Sequence, residues 1–393
     1  MSKPTYFLLA ILLLNGFYLF AQQRLSEKAT ISVITCGPWQ GELYSAFGHS
    51  AFRVHDPELG IDEAYNYGVF DFDQPNFYLN FARGYLYYQL GVYDYPAFRD
   101  HYIYYNRYIH EQLLNLTQDQ KQKVYDYLQW NARPENKQYR YDYFYDNCAT
   151  KLRDVIKITL GDAVVFDERY VKTDYTIRDL TDIYLTQQPW GDLGIDICLG
   201  LPMDKKATPY EYMFLPDYIE SGFDHAYFVN HNDSVPLVKE KTIVYEARDE
   251  DPVSGLPHPT IVFSIIAVIG LVISFFNIRR RKLSQWFDIL LFGVTGLIGL
   301  LLSFLWVATD HAAAAKNYNL LWAVPAHLMI VFVLFKKRNW IQSYFLSIAS
   351  LQVALLISWP FLAQDLHEAL IPIVILLAAR AFVQFYVRRI KAN

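Results

Sequence analysis

Five long apolar runs fill the last third of the chain, at residues 260–278, 285–307, 319–335, 343–362 and 369–387. Each is about the length that carries a helix across a bilayer. This part of the chain is therefore expected to fold in lipid as an all-α domain of five transmembrane helices, residues 260–393. The flanks set a direction. Arg279, Arg280, Arg281 and Lys282 follow the first run, Lys336, Lys337 and Arg338 the third, and Arg388, Arg389 and Lys391 the fifth. The other connections carry Asp310, His311, Asp365 and Glu368 with one lysine, Lys316. Basic residues mark the cytoplasmic side, so the odd runs point inward and the C-terminus is cytoplasmic. Everything before Thr260 then lies outside. Arg380 interrupts the fifth run.

Charge divides at the same place. Residues 259–393 hold 12 Lys and Arg against 4 Asp and Glu, whereas the first 258 hold 23 against 36. The overall −5 and the 53% apolar content average two different objects. The basic residues sit in short membrane-flanking clusters, which excludes a nucleic-acid surface. At the N-terminus Lys3 precedes an apolar stretch ending at Ala21, a signal peptide or an uncleaved anchor over residues 1–21. Either exports residues 22–258: a domain over 22–246 and a linker over 247–259.

The exported domain opens with strand-like ATISVITCG (29–37). SAFRV (50–54) alternates as a half-buried strand, DPELG is a turn, and AYNYGVF (64–70) is a second strand. Thr117 introduces a helix with Val124, Tyr125 and Leu128 inward. A second helix follows from Cys148, with Leu152, Val155, Ile156 and Leu160 at helical spacing. PWGDLGIDICLGLPMDKK (189–206) has the glycines and prolines of loops.

Cys148 opens its helix directly behind YDYFYDN, and Asp146 or Asn147 can cap that helix. A thiol there faces unpaired backbone N–H groups and the positive end of the helix dipole, which favours thiolate. The same N–H groups can hold an oxyanion when the sulfur attacks a carbonyl. Such a nucleophile needs an imidazole base. His49, at the head of a strand behind a glycine, is the best placed; His55, His101, His110, His225 and His231 fall in turns, helices or the less ordered last third. By alternation His49 shares a face with Ala51 and Arg53, opposite Ser50, Phe52 and Val54. In an oxidising compartment Cys36 and Cys198 can pair and leave Cys148 free.

A strand histidine followed about a hundred residues later by Asn-Cys at a helix start resembles the permuted branch of the papain-like NlpC/P60 superfamily. The stretches GPWQGELYSAFGHSAFRVHDP, YNYGVFDFDQPNFYLNFARGYLYYQLG, NRYIHEQLLNLT and YDYFYDNCATKLRD look more closely like the Lnb family of bacterial lipoprotein N-acyltransferases. That resemblance implies an α+β, permuted papain-like periplasmic domain on five helices in the inner membrane. It implies Cys148 as nucleophile and His49 as base, and the strand after the His strand offers Asn66 first and Tyr67 second as the group that orients the imidazole. The donor it implies is a membrane phospholipid, the acceptor the α-amino group of a diacylglyceryl lipoprotein, with no cofactor and no nucleic acid. Tyr67 and Arg53 near the dyad, and Asp310, His311, Asn317 and Asn319 between the second and third helices, are candidates for binding substrate. Asp310 and His311 fall short of a metal ligand set. A cell-wall amidase or peptidase with the same dyad, and a non-enzymatic lipoprotein-binding protein, are the alternatives. A hydrolase has no need of five helices, and a binding module gains nothing from a base and a thiol.

Overall fold

The computed structural model describes residues 23–229, 234–249, 255–336 and 338–392. The leader expected over 1–21, His231, Lys337 and part of the expected linker lie outside the described residues.

The outer half is mixed α and β. Its strands are β1 (Thr30–Cys36), β2 (His49–Asp56), β3 (Ile61–Val69), β4 (Tyr87–Asp94), β5 (Ile109–Leu114), β6 (Gln138–Arg140), β7 (Val164–Phe166), β8 (Ala226–Val229), β9 (Ser234–Pro236) and β10 (Val238–Tyr245). Seven form one antiparallel sheet in the order β10-β5-β1-β2-β3-β4-β6, while β7, β8 and β9 form a small second sheet. The helices are α1 (Phe77–Arg83), α2 (Tyr95–Tyr104), α3 (Gln118–Asn131), α4 (Cys148–Leu160), α5 (Ile177–Leu185), α6 (Pro189–Cys198), α7 (Pro209–Tyr212) and α8 (Pro216–Asp224).

The period-2 pattern of the central strands sorts their side chains between two cores. Phe52, Val54, Tyr65 and Tyr67 bury against Val124 and Leu128 of α3 and Leu152, Val155 and Ile156 of α4. Ala51 and Ala64 face Tyr95, Phe98 and Tyr102 of α2. Each large apolar side chain so buried contributes about 1.5–3 kcal/mol. The His49–Ala51–Arg53 face is thus the α2 face. Reciprocal caps start the two helices of the first core: Thr117 with Gln120 for α3, and Asn147 with Thr150 for α4.

The stretch 189–206, expected as loops, begins with a helix, α6. Pro189 suits its first turn. Gly191 and Gly194 are tolerated because Leu193, Trp190 and Ile197 pack into the core of the membrane part; tertiary packing outweighs local propensity here.

Among the described residues, four helices are long and apolar enough to cross a membrane: Pro259–Arg280, Gln285–Ala308, Asn339–Phe361 and Glu368–Lys391. Their α-helical cores are α9 (Pro259–Arg280), α10 (Gln285–Ala308), α12 (Asn339–Ser358) and α13 (Ile371–Ala392), with the short α11 (Ala326–Val331) between α10 and α12. The run 319–335, expected as a continuous helix, is a 3₁₀ turn at Tyr318–Leu321, an irregular bend and then α11. Pro325 cannot donate a helical hydrogen bond and sits where the helix breaks. The freed backbone is buried in protein, which is where irregular structure is tolerated at membrane depth. Gln352 donates to Leu321 O at 3.0 Å. Gly296 and Gly299 leave α10 without side chains where the broken segment crosses it, and a Cβ at either would overlap the backbone of Ala323 or Leu328.

Arg380 finds its partner inside the bundle. It meets Asp288 of α10 at 2.7 and 2.8 Å, and also bonds Ser274 and Asn277 of α9, while Gln384 donates to the same carboxylate. Neither Arg380 nor Asp288 is accessible to solvent. Losing one partner of such a pair strands the other, at a cost of about 3–5 kcal/mol. Arg380→Met is therefore expected to unfold at lower denaturant in detergent than wild type, and Arg380→Met with Asp288→Leu to recover most of that loss. Equal stability of Arg380→Met and wild type contradicts the pairing.

Candidate active site

Cys148 is the first residue of α4, and Asn147 holds that helix start in place. The Asn147 Oδ1 accepts from Ala149 N–H and Thr150 N–H, both at 2.9 Å. Its amide donates to Tyr143 O and Phe214 O, so the cap is tied to two other segments. Asp146, the other cap candidate, does not cap: its carboxylate pairs with Lys151 at 2.6 Å and its backbone with Asp142. An Asn side chain one residue nearer the helix reaches the free N–H groups first.

β2 brings His49 to the same end of the sheet. Its neighbour in the chain, Ser50, turns its backbone N–H to the Cys148 thiol and favours the anion. β3 supplies Asn66, whose Oδ1 lies 2.6 Å from His49 Nε2. A carbonyl oxygen can only accept, so Nε2 carries the imidazole proton and Nδ1 is left basic. The ring of Tyr102 stacks on the imidazole at 6.0 Å, and Phe98 flanks it at 6.5 Å. Two residues after Asn66 the chain passes the thiol at Gly68 (φ +87), where a Cβ would stand 3.5 Å from Cys148 Cβ. Only glycine is at ease with that backbone.

Burial decides the protonation of both groups. It pushes the Cys148 thiol up to about 11, against the pull of the Ser50 N–H. It pushes His49 down to about 4, against the bond from Asn66. The expectation that the helix start favours thiolate is therefore corrected: the N–H groups act in that direction, and desolvation outweighs them. At neutral pH Cys148 rests as the thiol and His49 as the neutral imidazole.

Arg107, between α2 and β5, escaped the sequence reading. It is buried, its Nε donates to Gly37 O at 2.6 Å and its guanidinium lies over the Tyr102 ring at 4.6 Å. Its Nη2 has no partner among the described residues. Its positive charge lowers both the Cys148 thiol and His49. An arginine in NRYIH carries no local signature of this role, because the contacts come from β1 and α2.

The remaining candidates have partners within the protein. Tyr67 points to the other face of β3 and donates to Asn131 Oδ1 at 2.7 Å. Arg53 is held by Asp62 and Glu111 over the Tyr95 ring. Asp310 pairs with Arg140 at 2.8 Å, and His311 Nε2 meets Phe81 O at 3.1 Å. Asn317 donates to Ile197 O at 2.8 Å and Asn319 to Asp196 O at 3.0 Å. These four join the outer domain to the membrane part, so their polar groups are already engaged. Cys36 and Cys198 are unpaired thiols, Cys36 buried in β1 opposite His49. Asp182, Asp192 and Asp196 bring carboxylate oxygens within 4.8 Å of one another, with Arg178 on Asp196 and His367 on Asp192.

Residues 20–184 match the family model of the Lnb N-terminal periplasmic domain, and residues 251–391 that of the Lnb transmembrane domain. The chain belongs to the Lnb family. No curated protein and no solved structure matches it. His49, Asn66, Arg107 and Cys148 all fall inside the match to the Lnb periplasmic domain, and the four spanning helices inside the other, so this Lnb chain is a multi-pass membrane protein.

A raised thiol pKa makes alkylation slow at neutral pH. Iodoacetamide labelling of the Cys148 peptide in the full-length protein is expected to rise about tenfold per pH unit above neutrality, with no plateau until about pH 11. Arg107→Met is expected to label more slowly still at each pH. A plateau already reached at neutral pH contradicts the neutral pair.

Proposed function

We propose that this protein is a lipoprotein N-acyltransferase that carries the acyl chain on Cys148. The observation that supports it most directly is the Asn66–His49 pair beside a helix-capped cysteine, in a chain whose membrane part belongs to the Lnb family. In the proposed cycle the Cys148 sulfur attacks the carbonyl of an acyl ester in a membrane phospholipid, and His49 Nδ1 takes the thiol proton. The oxyanion draws on the backbone N–H of Cys148 itself, since Asn147 already takes the next two, and on the charge of Arg107. The C–O bond breaks, the proton passes from His49 to the lysophospholipid alkoxide, and a thioester remains. The free α-amino group of a diacylglyceryl-cysteine then attacks that thioester. His49 accepts the amine proton, the C–S bond breaks, and the proton returns to sulfur as the amide leaves. Asn66 holds the imidazole in the tautomer both steps need.

The permuted papain-like reading fits this arrangement: base and orienting residue on adjacent strands, nucleophile later in the chain at a helix start. The broken segment 318–335 serves as the fifth crossing. Its outer end meets α6 through Asn317 and Asn319, while at its other end Leu334 accepts from Gln285 and Arg388. With the basic clusters inside, the enzyme sits in the inner membrane with residues 22–258 in the periplasm and the C-terminus in the cytoplasm.

The test is mass spectrometry of the N-terminal peptide of a reporter lipoprotein in cells whose only candidate enzyme is this protein. Wild type is expected to give an N-acylated peptide, and Cys148→Ala and His49→Ala a free amine. A free amine with membrane-inserted wild type sinks the proposal and favours the hydrolase.

A further inference from the structure

None of the seven residues of α1 is buried. Tyr78, Leu79 and Phe81 are exposed at 77, 57 and 43%, and Phe72 just before them at 59%. A contiguous apolar patch left open on a folded surface marks a contact with something apolar. The backbone of α1 ties it to the membrane part. Asp310 N–H donates to Arg83 O at 2.9 Å, and His311 bonds Phe81 O. Asp310 stands two residues beyond Ala308, where α10 ends with Trp306 and Val307 exposed. The exposed side chains of α1 therefore stand beside the outer end of a helix long and apolar enough to span a membrane, where aromatic side chains favour the interface.

Rings lead inward from that patch without interruption. Phe77 meets Phe72 at 4.9 Å, Phe72 meets Phe70 at 4.9 Å, Phe70 meets Tyr88 at 5.5 Å and Tyr88 meets Tyr141 at 4.4 Å. Tyr141 and Cys148 then flank Gly68 from two sides, 3.6 and 3.5 Å from where its Cβ would be. Gly68 thus puts no side chain between Tyr141 and Cys148.

We propose that α1 lies in the outer leaflet and that this row of rings guides a phospholipid acyl chain from the bilayer to Cys148. The inference rests on Cys148 accepting an acyl chain. It adds the place where that chain leaves the membrane, and it makes the exposed aromatics of α1 a lipid contact.

The test uses the full-length Cys148→Ala protein in vesicles of phosphatidylethanolamine and phosphatidylglycerol, with a phosphatidylethanolamine carrying a diazirine in its acyl chain. Because this variant cannot turn over, labelling does not depend on the reaction. Label is expected on the α1 peptide and on the peptide bearing Tyr141. Adding Tyr78→Asp and Leu79→Asp is expected to cut it about tenfold, as charge is placed against lipid. Label confined to the spanning helices overturns the proposal, and so do crosslinks between two protein chains through α1 in place of lipid. Wild type that makes no acyl-Cys148 while α1 is labelled overturns acyl transfer and leaves the lipid contact of α1 standing, which separates the two claims.

Discussion

The outer domain is held to the membrane part by side-chain amides placed against a helix end. The last carbonyls of an α-helix have no partner within it and must find donors elsewhere. At the C-terminus of α6, Asn319 serves Asp196 O, Asn317 serves Ile197 O and Cys198 O, and Gln364 serves Leu199 O. The Trp190, Leu193 and Ile197 side chains of the same helix sink into the membrane core. On the other flank, Arg140 and the carbonyls at the end of α1 receive Asp310 and His311. Two separate sets of contacts thus join the outer domain to the membrane part.

Within that frame, the candidate site is built on desolvation. A thiolate–imidazolium pair is stable where solvent or several donors support the charges. Here aromatic rings surround both groups, and burial favours the neutral forms. A neutral thiol is protected from oxidants and alkylating agents at rest. In the proposed cycle the charge that develops during attack meets the Cys148 N–H and Arg107, in a low-dielectric setting where they count for more than in water. The same water-poor surroundings suit the proposed thioester, which would have to outlast hydrolysis until an amine arrives.

Much of this was legible in the sequence wherever a local rule applied. The alternation of β2 placed His49 with Ala51 and Arg53, and Thr117 marked the start of α3. The family resemblance, not a local rule, offers Asn66 first beside His49, and its Oδ1 lies 2.6 Å from the imidazole. What escaped depended on partners far along the chain. Asp310, His311, Asn317 and Asn319 looked like free polar groups because nothing nearby shows that they face the carbonyls of α1 and α6. α6 was lost to its two glycines, whose cost is offset by packing against a domain that begins some 70 residues later. Pro325 was visible in the third apolar run, and length alone outweighed it there. Arg107 had no motif at all: its importance comes from three segments meeting over Tyr102.

The most direct test of the account is to trap the intermediate. Purified protein in phospholipid vesicles without an acceptor is quenched in acid, digested and examined for the mass of the Cys148 peptide. The account predicts a fatty-acyl mass on Cys148, removed by neutral hydroxylamine as a thioester is, and lost in His49→Ala. An unmodified Cys148 together with an N-acylated lipoprotein made by the same preparation contradicts it.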